Sequence, residues 1–381
     1  MELNDSYGYR DNLNYGIIGN CQSSALIHKD SSIDWCCLPR FDSPSIFGKI
    51  IDNKIGGFFK IEPIGNYNVK QEYFKNTSIL KTSFNNGYDK FEIIDYMPRY
   101  QLKKNNYYSP PEISRIVRLI NGNPQVKIIY DPKLDYSLGE SKSYAKDDFI
   151  VTVSENDNYE TIYLYSNLNF YKILDSDKIE LNSDLFFKIS YYEKLLIPKL
   201  DDVLLELKKT SNYWINWINK TPSFKEFNNE ILRSALTLKL LTYEKTGAVL
   251  AAVTTSLPET IGEERNWDYR FCWIRDASMV IKVITKLGHK NIVKNFIKFI
   301  LDIIPDKNEK LQIMYGINGE KILTEKTLKH FSGYLDSSPV RIGNAAFSQK
   351  QNDIYGILMD AIHYQIEKFP TENNDYEELW S

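Results

Sequence analysis

The densest group of charged and aromatic residues in this 381-residue chain is one short run in its second half. The run contains three arginines, two aspartates, two tryptophans and a tyrosine, in the order Glu263-Glu-Arg-Asn-Trp-Asp-Tyr-Arg-Phe-Cys-Trp-Ile-Arg-Asp276. Charges at this density are costly to bury unless they are paired. One interpretation is therefore an Arg/Asp network that fastens a loop to the end of a helix.

The second interpretation of the run is a sugar pocket. Arg275 and Asp276 together offer both halves of hydroxyl recognition, because arginine presents a rigid fork of donors and aspartate accepts hydrogen bonds. Trp267, Tyr269 and Trp273 provide aromatic faces that can stack on the apolar faces of a pyranose ring. Residue types alone leave both interpretations open.

Other kinds of site are not indicated. The chain has no phosphate-binding G-x-x-x-x-G-K-S/T loop, no G-x-G-x-x-G motif and no G-x-S-x-G motif. Its histidines lack metal-ligand spacing. Neither a metal nor another cofactor is therefore expected. The histidines are His28, His289, His330 and His363.

Composition narrows the class of protein further. The chain is 43% hydrophobic and 25% charged, as in ordinary globular proteins, and a net charge of −3 offers no basic surface to nucleic acid. No basic segment followed by an apolar run opens the sequence, and no stretch approaches the ~20 apolar residues of a membrane span. A cytoplasmic location is expected. Four cysteines without a C-x-x-C pair predict reduced thiols rather than a disulfide framework.

The elements that position the polar run change in type along the chain. The first half consists of short β-branched and aromatic stretches separated by turn signals such as Asn85-Asn86-Gly87. This pattern predicts an N-terminal antiparallel β-sandwich. The clearest strands are predicted at 113–120, 126–130, 149–153, 161–165 and 185–189.

Beyond Pro198 the apolar spacing becomes helical. A helix from Leu200 to Ile218 is predicted to bridge the two halves, which divides the chain into a sandwich over 1–195, a linker helix over 196–225 and a helical domain over 226–381. Four amphipathic helices are predicted in the last part: one over 231–240, one from Ile274 that closes at Gly288, one over 292–304 that ends at Pro305, and one from Phe347 that ends before Pro370.

Several long motifs occur in a fixed order along the chain. The first half contains Ile18-Gly-Asn-Cys-Gln-Ser-Ser, Ser32-Ile-Asp-Trp and Leu38-Pro-Arg-Phe-Asp-Ser-Pro. The second half contains Leu240-Leu-Thr-Tyr-Glu-Lys-Thr-Gly, Thr254-Thr-Ser-Leu-Pro-Glu, Arg265-Asn-Trp-Asp-Tyr-Arg-Phe-Cys-Trp-Ile-Arg-Asp, Leu311-Gln-Ile-Met-Tyr-Gly and Pro339-Val-Arg-Ile-Gly-Asn-Ala-Ala. Together they resemble family 15 of the glycoside hydrolases, the glucoamylases and prokaryotic trehalases. The resemblance implies an α+β multidomain fold, in which a β-sandwich precedes an incomplete (α/α)6 barrel.

The same resemblance implies a binding subsite for the non-reducing glucose of an α-glucoside. Arg275 and Asp276 match the pair that holds its 4- and 6-hydroxyls, and Trp267, Asp268 and Tyr269 match the lining of that subsite. Arg341 and Asn344 match a later loop that approaches the same sugar, although a structural salt bridge is the alternative for Arg341. Four residues of the first half either border the pocket or pack at a domain interface: Trp35, Arg40, Phe41 and Asp42.

The implied reaction is exo-acting hydrolysis with inversion, in which one carboxylic acid protonates the leaving oxygen and a second carboxylate activates water. The resemblance places both glutamates beyond Ser381. Glu377 and Glu378 are not assigned these roles, because they are more typical of a first helical turn. The general acid and base are therefore unassigned. The chain alone is expected to be inactive and poorly folded in its helical half, and a downstream polypeptide is its expected partner; the sequence leaves oligomerisation open.

The sequence departs from the family pattern at three places. They are Val253, the Gly262-Glu263 pair and the Leu335-Asp336 pair. The last of these leaves the choice between trehalose and malto-oligosaccharides open. Two other functions remain as alternatives: a non-catalytic carbohydrate-binding or scaffold protein, and a related glycoside phosphorylase, the latter by analogy of fold alone.

Overall fold

The computed structural model describes residues 12–103, 106–155, 159–304 and 310–369. Contacts between residues divide the chain into two units. The first unit holds the chain up to Ile215 together with His330–Ser338, and the second holds Asn216–Lys329 together with the chain from Pro339. No helix in the described ranges is both long enough and apolar enough to cross a membrane.

The first unit consists mainly of antiparallel strands. They are β1 (Tyr15–Gly19), β2 (Ser24–His28), β3 (Ile33–Cys37), β4 (Ser45–Phe47), β5 (Phe58–Pro63), β6 (Asn68–Tyr73), β7 (Leu80–Asn85), β8 (Lys90–Tyr96), β9 (Tyr100–Lys103), β10 (Asn106–Tyr108), β11 (Glu112–Asn121), β12 (Gln125–Asp131), β13 (Ser141–Ala145), β14 (Ile150–Ser154), β15 (Thr161–Ser166), β16 (Lys178–Glu180) and β17 (Leu185–Tyr191).

Strands β9 and β10 form a separate two-stranded sheet, and the other strands form two larger sheets that share one core. One sheet has the order β1-β2-β3-β5-β12-β16, with β4 beside β3, and the other has the order β13-β14-β15-β17-β11-β8-β7-β6. Val126 and Ile128 of β12 alternate with the less buried Gln125 and Lys127, and they lie with Ile93 and Val117 of the second sheet in the buried core. Alternation of this kind turns one face of a strand toward the core. The predicted β-sandwich is therefore confirmed.

Two helices complete the first part of the chain: α1 (Phe170–Leu174) and α2 (Leu200–Ile218). Val203 and Leu207 of α2 pack with Ile94 and Ile116 on the outer face of the second sheet. The bounds of α2 match the helix predicted from apolar spacing, because its apolar side chains pack on this face of the sheet.

The second unit contains the helices α3 (Asn228–Leu240), α4 (Ile274–Lys286), α5 (Lys290–Ile303) and α6 (Asp353–Lys368). Helix α4 packs against both α5 and α6. Gly288 follows Leu287, the C-terminal cap of α4, and has φ +83°, as its predicted role in ending the helix requires. Two short antiparallel pairs lie between the helices, namely β18 (Cys272–Trp273) with β19 (Met314–Tyr315), and β20 (Lys326–Thr327) with β21 (Arg341–Ile342).

The last helix begins later than apolar spacing predicts. Residues Ala345–Ser348 form a separate 3-10 turn, whose first backbone amides are capped by the side chain of Asn344. Gln349 then adopts an extended conformation with ψ 159°, which prevents a continuous helix, so α6 starts at Asp353 rather than at Phe347. The predicted stop residues Pro305 and Pro370, and the pair Glu377 and Glu378, lie outside the described residues.

Candidate functional site

The polar run of the second unit is an extended segment with an unusual alternation. Its backbone carbonyls accept hydrogen bonds from a neighbouring segment, as in the 2.9 Å bond from the Ser256 amide to Trp267. The aromatic side chains of Trp267 and Tyr269 are partly exposed, whereas Asp268 and Arg270 between them are 0% and 1% exposed. Half-buried strands ordinarily turn apolar residues inward and polar residues outward. Here the aromatic residues face outward above a buried ion pair.

The buried pair has close to ideal geometry. Arg270 donates from Nη2 to Oδ2 of Asp268 at 2.7 Å and from Nε to Oδ1 at 2.9 Å. Oδ2 also accepts the backbone amide of Gly343 at 3.1 Å, and the Asp268 carbonyl accepts Nδ2 of Asn344 at 3.0 Å. Asp268 therefore contacts the later loop directly, and through that loop it holds Arg341 near the run.

Arg341 is held on several sides. Its guanidinium lies 4.4 Å from the centre of the Trp267 ring, within cation–π range. Nη1 donates to the carbonyls of Glu264 at 2.7 Å and Asn266 at 3.3 Å, and Nε lies 3.3 Å from Oε1 of Glu325. Both interpretations of Arg341 therefore have a physical basis, because it forms a salt bridge and also lies against an aromatic face of the predicted subsite.

Asn344 is occupied by the loop itself. Its Nδ2 donates to the Asp268 carbonyl, and its Oδ1 accepts the Ala346 amide at 2.9 Å. Only 3% of its surface is exposed. In this conformation Asn344 shapes the loop that carries Arg341, and its predicted contact with sugar remains a prediction.

Arg275 and Asp276 open helix α4. Nη2 of Arg275 lies 3.3 Å from Oδ2 of Asp276, and Nη1 donates to Oε1 of Gln351 at 3.0 Å. Asp353, at the start of α6, stands 3.9 Å from the same Nη1. The Arg275 and Asp276 side chains remain 34% and 45% exposed. The pair is thus oriented by protein contacts and still open to a ligand.

Two aromatic residues adjoin this pair. The rings of Tyr269 and Trp273 lie 6.2 Å apart, and the Arg275 guanidinium lies 5.8 Å from the Trp273 ring. Burial raises the pKa of Tyr269, and the charges of Glu259 and Asp276 raise it further, so its hydroxyl stays protonated. Nε1 of Trp273 donates to no acceptor within the described ranges. A hydrogen-bond donor of this kind suits a hydroxyl-bearing ligand.

The predicted site residues thus form two groups along one extended segment. Tyr269, Trp273, Arg275 and Asp276 make up the first group, and Trp267, Asp268, Arg341 and Asn344 make up the second. Sequence reasoning missed three residues that hold them: Arg270, Glu325 and Gln351. Arg270 carried a usable signal, since residues two apart on an extended segment share a face. Glu325 and Gln351 carried none, because they are distant in sequence from the residues they contact.

The four rim candidates belong to the first unit. Trp35 and Phe41 are each 1% exposed, and Nε of Arg40 pairs with Oδ1 of Asp42 at 2.9 Å. Their role at a pocket rim stays a prediction. Across the described ranges, no group of three His, Cys, Asp or Glu residues is placed to hold a metal ion.

The two halves of the chain resemble two different protein profiles. Residues 225–380 match the profile of glycosyl hydrolases family 15, and residues 13–183 match the trehalase-like N-terminal profile. A trehalase from Mycolicibacterium smegmatis is 33% identical, over 92% of this chain and 56% of that protein. A trehalase from Thermoplasma volcanium is 35% identical, over 93% of this chain and 57% of that protein.

Trehalase 2 from Sulfolobus acidocaldarius is 31% identical, over 96% of this chain and 62% of that protein. The chain therefore spans somewhat more than half the length of the curated relatives it matches. The two profiles match separate parts of the chain and follow each other in the order that the motifs predict. The chain therefore carries a trehalase-like N-terminal domain over residues 13–183, followed by a region of glycosyl hydrolases family 15 over residues 225–380.

Proposed function

We propose that this chain carries the glucose-binding subsite of a glycoside hydrolase that releases glucose from trehalose. The observation that supports it most is that Tyr269 and Trp273 are partly exposed and adjoin Arg275 and Asp276, while the partly exposed Trp267 lies against Arg341. Aromatic faces next to oriented donors and acceptors suit a pyranose ring, which has apolar faces and a hydroxyl rim. The relatives named trehalase favour trehalose over malto-oligosaccharides as the substrate.

In this proposal the chain's own residues bind and orient the sugar. The Arg275 guanidinium donates to two neighbouring hydroxyls, and the Asp276 carboxylate accepts from one of them. Gln351 and Asp353 hold the guanidinium in place beforehand, so little ordering remains when the sugar binds. Such contacts accelerate a reaction to the extent that they strengthen as the glycosidic bond breaks. We assign neither the general acid nor the general base to a residue of this chain.

Sugar binding is tested by calorimetric titration of the purified chain. Glucose and trehalose are expected to bind, and galactose, the epimer of glucose at the 4-hydroxyl, is expected to bind about tenfold more weakly because a donor–acceptor pair loses its hydroxyl. Maltose serves as the competing disaccharide. Absence of binding by every one of these sugars, in a sample whose fold is verified by circular dichroism, would reject the proposal.

Hydrolysis is tested by measuring glucose release from trehalose and from maltose. The assay is run with the chain alone and with the chain mixed with the remaining C-terminal part of a trehalase relative, supplied as a separate polypeptide. Trehalose is expected to be the faster substrate and phosphate to have no effect. Phosphate-dependent release of glucose 1-phosphate would indicate a phosphorylase instead. If the chain binds trehalose but releases no glucose, either alone or with the second polypeptide, the result would indicate a carbohydrate-binding protein.

A further inference from the structure

Glu325 is a carboxylate of the second unit that the proposed reaction does not use. Its Oε1 lies 3.3 Å from Nε of Arg341, and its Oε2 accepts the backbone amide of Ala345 at 3.2 Å. The Glu325 and Arg341 side chains are 25% and 14% exposed. Glu325 immediately precedes β20, whose partner β21 begins with Arg341, so the register of this small hairpin brings the two residues together.

The contacts of Arg341 leave one part of its guanidinium available. Trp267 covers one face, two carbonyls accept from Nη1, and Glu325 faces Nε. Nη2 has no acceptor within the described ranges. A guanidinium with open donors and an unbalanced charge binds phosphate or carboxylate strongly. Here the nearby carboxylate balances the charge and leaves the Nη2 donors available.

The same balance is found at every arginine of the polar run. Each one has a carboxylate within 3.4 Å, so no guanidinium of the run is left with an unbalanced charge to attract an anion. The surroundings favour an uncharged ligand that needs donors without excess positive charge. The pairs are Arg265 with Glu259, Arg270 with Asp268, and Arg275 with Asp276.

We propose that Glu325 is a specificity-determining residue of the sugar site. It neutralises and orients Arg341, which leaves Nη2 to donate to an uncharged hydroxyl while phosphate and phosphate-bearing sugars are kept out. The role in sugar recognition rests on the proposed function. The exclusion of anions rests on charge balance and can be tested separately.

The test compares Glu325→Gln with the parent chain. The substitution keeps an oxygen acceptor near Arg341 and removes the negative charge. Calorimetric titration at constant ionic strength, with inorganic phosphate and with glucose 6-phosphate, is expected to show affinities about fivefold higher for the variant, as fits a partly exposed ion pair. Affinity for glucose is expected to fall, because an amide holds the guanidinium less firmly than a carboxylate.

Two further variants separate charge from position. Glu325→Asp keeps the charge on a shorter side chain, so glucose affinity is expected to fall while phosphate stays excluded. Glu263→Gln is the matched control: it removes the same charge from a pair with Arg265 at 3.8 Å, where the Glu263 side chain is 56% exposed. This control is expected to change neither affinity.

Unchanged phosphate affinity in folded Glu325→Gln overturns the proposal, as does an equal gain in Glu263→Gln. If thermal melting shows that Glu325→Gln does not fold, Glu325→Ala makes the same test, since truncation of a partly exposed side chain leaves no closed cavity. The phosphate titration needs no sugar binding. A parent that binds no sugar, together with a Glu325→Gln variant that gains phosphate binding, would remove the proposed function and retain the charge role of Glu325.

Discussion

At the scale of single residues, the site depends on arginines whose direction is set before any ligand arrives. Arg275 is held by its neighbour Asp276 and by Gln351, which stands 76 positions further along the chain. A guanidinium loses less freedom per contact than a lysine amine would, because its donors form a rigid plane. Pre-oriented donors of this kind allow a small, uncharged ligand to be recognised with few contacts.

Arg275→Ala is expected to weaken binding of trehalose by about thirtyfold, or about 2 kcal/mol, because it removes charged donors and leaves Asp276 without its ion-pair partner. Asp276→Asn is expected to have a similar effect. Calorimetric titration measures both. Lys282→Ala is the control, because Lys282 lies further along the same helix and pairs at the surface with Asp360. Affinity within about threefold of the parent would refute the subsite assignment.

His289 is the second residue with a distinct physical role. Its ring stacks on Trp217 with centres 3.8 Å apart, and its Nε2 lies 2.8 Å from Oγ1 of Thr221. Burial lowers its pKa to about 4, and the charges of Lys239 and Lys220 act in the same direction. The folded protein therefore keeps this imidazole neutral well below the pH at which the unfolded chain protonates it.

The stability of the chain is expected to depend on pH through His289. In the unfolded state the His289 imidazole binds a proton near pH ~6.5, whereas in the folded state it stays neutral. The stability that depends on a neutral His289 is therefore complete above that pH and is lost as pH falls toward 4. The total loss is about 3 kcal/mol. Urea unfolding across this range should show a flatter dependence in His289→Gln. His363→Gln is the control, since that side chain is 65% exposed; a slope unchanged in His289→Gln would contradict the prediction.

At the scale of elements, a tight turn sets how the segment after α3 meets helix α5. Gly247 donates its amide to the Tyr243 carbonyl at 2.8 Å and has φ +89°. A Cβ at this position would lie 2.4 Å from the backbone carbonyl carbon and oxygen of Asn295. Gly356, inside α6, has nothing within 4 Å of the corresponding point. The two glycines thus differ in both backbone conformation and space.

Alanine substitutions at these glycines are expected to have opposite signs. Gly247→Ala should lower the free energy of unfolding by at least about 2 kcal/mol, since backbone atoms must move and the φ angle is unfavourable. Gly356→Ala should raise it by about 0.5–1 kcal/mol, because alanine restricts the unfolded chain and favours helix. Denaturant unfolding of both variants makes the comparison. Equal changes in the free energy of unfolding for the two variants would show that Gly247 does not lie as close to α5 as described.

At the scale of the whole molecule, each of the two units consists of two separate stretches of the chain. His330–Ser338 lies between β20 and β21 in sequence, yet it belongs to the first unit. Ser332 donates to Oδ2 of Asp52 from its amide at 2.9 Å and from Oγ at 2.8 Å, and His330 contacts the Tyr136 carbonyl at 2.7 Å. Oδ1 of Asp52 accepts the amides of Lys54 and Ile55. One carboxylate therefore accepts four hydrogen bonds.

Asp52→Asn is expected to release this segment. Burial raises the pKa of Asp52, but its hydrogen bonds, led by that from the Ser332 amide, outweigh burial and lower it, so the carboxylate is fully ionised and its contribution complete at the pH of a trypsin digest. An amide cannot accept at both positions. Cleavage after Lys329, followed by mass spectrometry, should be accelerated about tenfold or more.

Asp42→Asn is the matched control for this experiment, because Asp42 pairs with Arg40 and does not contact the segment. It should leave the rate of cleavage after Lys329 unchanged. Equal cleavage rates in the Asp52 variant and the parent would show that the segment is held by other contacts.

Local patterns in the sequence determined the order and type of the main elements. Alternating apolar residues predicted strands such as β12, and helical spacing predicted α2, because each pattern reports which face of an element must be covered. Gly288 ended α4 as expected, since only the residue's own φ angle is involved. The collinear motifs identified the family and selected Arg275 and Asp276. The predicted domain limits and the roles of the site residues stay predictions.

Only the tertiary structure decided how the site is held together. Asp268 looked like a sugar ligand from its place in the motif, yet its partners Gly343 and Asn344 stand 75 and 76 positions away in the chain. The sequence likewise did not predict that α6 starts at Asp353 or that Glu325 pairs with Arg341. The physical reason is that spacing in a sequence records which side of its own element a residue occupies. Which distant donor or acceptor contacts a buried charge depends on how the tertiary fold brings separate segments of the chain together.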